Sequence, residues 1–199
     1  MPGIFINYRS DDVTFAAPLV DVRLRERFGD GNVFLDSRSL EAATDFPPEL
    51  WRRLKQSSVL VVLIGPRWLM VRDESGNRRI DDRTDYVRRE IRKALKRHIP
   101  VLPVLVNGAE LPSAKQLPAD ITAVRDFQFV LLRLWHAETD LDLLADALAQ
   151  MVPAVPGGGN RKGRAAPHSP SGQSSLHITA RDPRFEGPVA GGNAYGSRS

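Results

Sequence analysis

The segment Asp85-Tyr86-Val87-Arg88-Arg89-Glu90-Ile91-Arg92-Lys93-Ala94-Leu95 holds the best-placed reactive side chain in this 199-residue sequence. With Val87 set at zero and a helical advance of about 100° per residue, Ile91, Ala94, Leu95 and His98 share one stripe, which the periodicity predicts to face the core. Arg88, Arg89, Arg92 and Lys96 fall on the opposite side, toward water. Glu90 lies at the edge of the apolar stripe, one turn after Tyr86. Its type and place allow two readings. It is either a carboxylate reserved for chemistry beside an aromatic ring, or a boundary charge pairing loosely with Lys93 or Arg97, with Tyr86 as packing. An edge carboxylate contributes little to folding, so Glu90→Gln is expected to leave stability nearly unchanged.

Other chemistries lack their residues. There is no GxGxxG or Walker loop and no HExxH, and no cluster has metal-ligand spacing. His98, His136, His168 and His177 are scattered, and no nucleophile elbow supports a Ser/His/Asp site. The chain has no cysteine, which excludes disulfides and thiolate metal sites and suits a reducing, cytoplasmic compartment.

The elements that must position Glu90 are legible. Short β-rich apolar runs occur at Gly3–Tyr8, Asn32–Asp36, Ser58–Gly65, Ile99–Val106 and about Gln128–Leu132. Helical patterns lie between and after them, an alternation that predicts a parallel sheet covered on both faces. Val59 to Ile64 has no polar alternation, as a central strand requires. The first helix is expected to start at Ser10 as its cap and to end at Gly29, with Pro18 kinking or restarting it. Further helices are expected from Pro47-Pro48, over about Arg83–Arg97, and over about Thr139–Met151.

Beyond Val152 the composition turns to Gly, Pro, Ser, Ala and Arg. Residues 1–152 are therefore expected to form one domain and 153–199 a disordered tail. Of the 28 Lys/Arg and 24 Asp/Glu, the tail holds six and two, so the first 152 residues balance 22 against 22. The net charge of +4 thus belongs to the tail, and a nucleic-acid partner is not expected. The N-terminus enters a strand pattern without a signal-like apolar region, and the longest apolar run is far too short to span a membrane.

Four segments in order resemble the Toll/interleukin-1 receptor (TIR) domain family. Phe5-Ile-Asn-Tyr-Arg9 is similar to its first-strand box. Val33-Phe-Leu-Asp36 followed by Ser39-Leu-Glu-Ala42 is similar to the second strand and the loop after it, the BB loop. Ser58 to Trp68 is similar to the third strand and its following turn. Asp85 to Leu95 resembles the helix of NAD-cleaving members. The resemblance covers about residues 2–150. It implies a flavodoxin-like α/β fold, with five parallel strands ordered 2-1-3-4-5, helices on both faces, and a ligand cleft at the switch between the first and third strands. A receiver domain shares that fold, but its acidic cluster and lysine are missing here.

The resemblance also implies an activity: hydrolysis of NAD+ to nicotinamide and ADP-ribose or a cyclic form, in bacterial defence or stress signalling. Glu90 takes the catalytic position. Arg9, Ser10, Asp36, Ala43, Phe46, Trp68 and Tyr86 take substrate-binding positions. NAD+ is then a substrate, with no separate cofactor and no metal. A single carboxylate suits this chemistry, because nicotinamide leaves as a neutral molecule and the ribose becomes oxocarbenium-like. Arg9 is either a phosphate ligand or a surface arginine at the sheet edge, and Asp36 either a cap or a ribose ligand. Tyr86 stands where the family often has Trp. Ala43 stands where the loop usually has glycine, and a positive φ there costs alanine about 1 kcal/mol or more. The alternative function is a non-catalytic adapter. On either reading, other TIR domains are the expected partners through self-association.

Overall fold

Val59 to Ile64 is buried along its whole length because it forms the middle of the sheet. The computed structural model describes residues 3–36 and 48–152. In it, β1 (Gly3–Asn7), β2 (Val33–Leu35), β3 (Ser57–Ile64), β4 (Val101–Val106) and β5 (Val130–Leu132) form one sheet. The order is β2-β1-β3-β4-β5 and every pairing is parallel. The expected order 2-1-3-4-5 is therefore the observed one. Register places Phe5 between Phe34 and Leu60, and Asn7 opposite Val62.

Alternate residues of each strand enter two separate cores. Ile4, Ile6, Val59, Val61 and Val104 pack on one face, against Val13 of α1 (Ser10–Val13), Val20 and Leu24 of α2 (Ala16–Phe28), and Leu144 and Leu148 of α5 (Ala137–Met151). Phe5, Leu60, Val62 and Leu105 pack on the other. Their partners are Leu50 and Leu54 of α3 (Pro48–Gln56) and Val87, Ile91 and Ala94 of α4 (Tyr86–Lys96). Period-two strands between period-3.6 helices require this layering. No helix among the described residues is long and apolar enough to cross a membrane.

Several expectations are corrected. Ser10 does not cap the first helix; Arg9 occupies the cap position without a side-chain bond, and Ser10 is the first helical residue. The helix breaks after Val13 and restarts at Ala16, so Pro18 sits in a first turn, where a missing N–H leaves no bond unmade. His98 is exposed rather than core-facing. It takes a left-handed φ of 54° just past the end of α4, and the chain turns away from the stripe before reaching it. The strand at β5 is shorter than its apolar run, and α4 begins three residues later than expected. The proposed tail, 153–199, lies outside the described residues.

A close approach fixes the turn after β3. The Asp12 carboxylate accepts hydrogen bonds from Gly65 N and Arg67 N, both at 2.8 Å. A Cβ at position 65 would stand 2.5 Å from Asp12 Oδ1 and 2.6 Å from Val13 Cγ1, so only glycine fits. This latch delivers Trp68 to the second core.

Candidate active site

The carboxyl ends of β1 and β2 and the first turns of α4 meet at the switch between β1 and β3. Asp85 caps α4, accepting from Arg88 N at 3.0 Å. Arg9, two residues past β1, donates both terminal nitrogens to the same carboxylate, at 2.9 and 3.0 Å. Both side chains are almost completely buried, so the pair ties the end of β1 to the start of α4. Arg79 Nε approaches Asp85 from the preceding loop at 3.6 Å.

Glu90 follows one and a half turns later and is 0% exposed. The wheel placed it at the edge of the buried stripe. The structure carries it inside, because β1 presents a polar residue there to receive it. Asn7 Nδ2 donates to Glu90 Oε2 at 2.6 Å and lies 3.4 Å from Val87 O. Glu90 is therefore not paired with Lys93 or Arg97. Lys93 instead sits 3.3 Å above the Trp51 ring.

Asp36 completes the cluster. Its backbone N–H bonds to Ile6 O at 3.2 Å, fixing the end of β2 beside the end of β1. Burial pushes the Glu90 carboxyl well above the ordinary glutamate value. The nearby Asp36 carboxyl raises it further, by charge and by a hydrogen bond between the two acids, and Asp85 adds to this, while the Asn7 donor opposes it. A bond between two carboxyl groups exists only while the pair holds a proton. With both ionised, Glu90 Oε1 has no donor among the described residues. Asn7 Oδ1 is also buried without a partner among the described residues, so two adjacent residues of the site carry acceptors unmet within that set.

The structure thus brings Arg9, Asp36, Tyr86 and Glu90 to the carboxyl edge of the sheet. Tyr86 is the first residue of α4 and is half-buried. Arg9 is not an exposed sheet-edge arginine: it is buried, and Asp85 holds both of its terminal nitrogens. Ser10 is buried at the start of α1, and its carbonyl accepts from Thr14 Oγ1. Trp68 is a core residue of the second cluster, with its indole N–H unpartnered among the described residues. Ala43 and Phe46 lie outside the described residues. Arg88, expected in water, is buried: it donates to Asp81 O at 2.6 Å and Asp120 at 3.0 Å, because the segments around Ile80 and Asp120 pack over it.

Sequence reasoning passed over Asn7 and the partnership of Arg9 with Asp85. The signal for Asn7 was available. It follows Phe5 on the α4 side of a buried parallel strand, where an apolar residue is the rule.

These features define a doubly wound α/β domain with a buried carboxylate at its topological switch point. The sequence profile of the TIR domain family matches residues 4–145, and the chain belongs to that family. The NAD(+) hydrolase sarm1 of Drosophila melanogaster is 28% identical over 165 residues. That match covers 77% of this chain but only 11% of the much longer relative. A solved structure of the TIR domains of an activated Roq1 resistosome, which recognises the effector XopQ, aligns at a TM-score of 0.49 with 14% identity. It covers 74% of this chain and 99% of that one.

Proposed function

We propose that this TIR domain cleaves the bond between nicotinamide and ribose in NAD+, in defence or stress signalling, with Glu90 as the catalytic carboxylate. The observation that supports this most is Glu90 itself: a buried carboxylate at the switch point, whose Oε1 has no donor among the described residues once Glu90 and Asp36 are both ionised. Ribose hydroxyls supply such donors. As the bond from the anomeric carbon to nitrogen breaks, its electron pair stays with nicotinamide, which leaves neutral. The anion of Glu90 then stabilises the oxocarbenium-like ribose until water, or a nucleophile within the product, takes the vacated position. Tyr86 offers an aromatic face one turn away, and Asp36 a second ribose acceptor. Similarity to an NAD(+) hydrolase supports the same reading.

The adapter reading draws on one observation. Glu90 is closed from solvent, so in this conformation substrate does not reach it. Assembly with other TIR domains, the proposed partners, is one way to open the cleft. The test is incubation of the purified protein with NAD+ at low and high protein concentration, with released nicotinamide quantified. Release by the wild type, rising per molecule with concentration and abolished in Glu90→Gln, is expected. No release at any concentration, or equal release by the variant, would remove the catalytic role and leave the adapter.

A further inference from the structure

Asn7 belongs to β1 but spends both amide protons on α4. One reaches the carbonyl of Val87 in the first turn at 3.4 Å, and the other reaches Glu90 Oε2 in the second at 2.6 Å. Its side chain is fully buried between the sheet and the helix. We infer that Asn7 is a positioning residue for Glu90: its amide holds Oε2 and leaves Oε1 as the oxygen offered to substrate. This inference rests on the catalytic reading of Glu90 and adds the group that makes the carboxylate usable.

The neighbouring charges show why such a group is needed. From the end of β2, Asp36 faces Glu90 with like charge. From the cap of α4, Asp85 does the same, though Arg9 and Arg79 offset part of its charge. Burial acts in the same direction. Among the causes that act on Glu90, the Asn7 hydrogen bond is the one that favours the ionised form. A carboxylate that must stabilise positive charge is useful only when ionised, and a donated N–H at 2.6 Å is the means this fold supplies. An apolar residue at position 7 would remove that donor and leave Glu90 protonated to a higher pH than in the wild type.

Two near-isosteric variants test this, Asn7→Leu and Asn7→Asp, each as the full chain. The first measurement follows the Glu90 side-chain carboxyl by carbon-detected NMR through a pH titration, which needs no activity. The second is the pH profile of nicotinamide release. Glu90 is expected to titrate lowest in the wild type, about one pH unit higher in Asn7→Leu, and higher still in Asn7→Asp. The acid limb of kcat should move with it, lowering turnover about tenfold on that limb and recovering it at alkaline pH. KM should change less. A Glu90 titration that does not move in a folded Asn7→Leu protein would overturn the inference, whatever the activity. If Asn7→Leu does not fold, Asn7→Asp decides alone, because it keeps the shape of the amide. If the wild type releases no nicotinamide, the catalytic reading fails, while the order of titration still judges whether Asn7 controls Glu90.

Discussion

Glutamine at position 90 should stabilise the protein at neutral pH, and the structure sets the sign. In the folded state the Glu90 carboxyl is held well above its ordinary value of 4.5, first by burial and then by Asp36 and Asp85. In the unfolded chain it titrates near the ordinary value. Below about pH 4.5 both states keep the proton, and the stability that protonated Glu90 contributes is fully present. As pH rises, the unfolded chain releases its proton first, and that contribution is lost until the pH passes the folded-state value. Each unit between the two values removes about 1.4 kcal/mol. A glutamine side chain has no proton to lose. Its carbonyl can accept from Asn7, and its amide can donate to Asp36. The difference in unfolding free energy between Glu90→Gln and wild type should therefore be near zero at pH 4 and grow in favour of the variant toward pH 8. For a domain of this size each kcal/mol corresponds to about 2–4 °C in Tm. Melts of both proteins at half-unit pH steps, followed by circular dichroism, measure it, and titrations elsewhere in the molecule cancel in the difference. A difference that is constant with pH, or that favours the wild type as pH rises, would refute the reasoning. The expectation from the sequence, that this substitution leaves stability nearly unchanged, assumed an edge carboxylate and is replaced by this one.

Gly65→Ala should cost about 1–3 kcal/mol in urea unfolding, because its methyl group overlaps Asp12 and Val13 and displaces the latch on the turn before Trp68. In an Asp12→Ala background the same change should cost measurably less. Arg9→Met should lower stability by about 3 kcal/mol or more, since it leaves Asp85 buried without its bidentate partner. Unchanged stability with weaker NAD+ binding would instead give Arg9 the role of a phosphate ligand.

The sequence alone determined the layers and their order of appearance. Val59 to Ile64 had to be a central strand, because an apolar run without alternation needs cover on both faces. The stripe Val87, Ile91, Ala94 had to face the sheet. The polar boundary of α4 brought Glu90 and Tyr86 to notice, since local periodicity reports which way a helix faces. What the sequence did not contain is depth. Glu90 sits inside rather than at an edge because Asn7, 83 residues earlier, offers a donor across the gap between β1 and α4. Arg88 lies buried because Asp81 and Asp120 come to it from other loops. Arg9 faces inward because Asp85 is there. Burial of a polar group depends on whether a distant residue can satisfy it, and only the tertiary structure decides which distant residues meet.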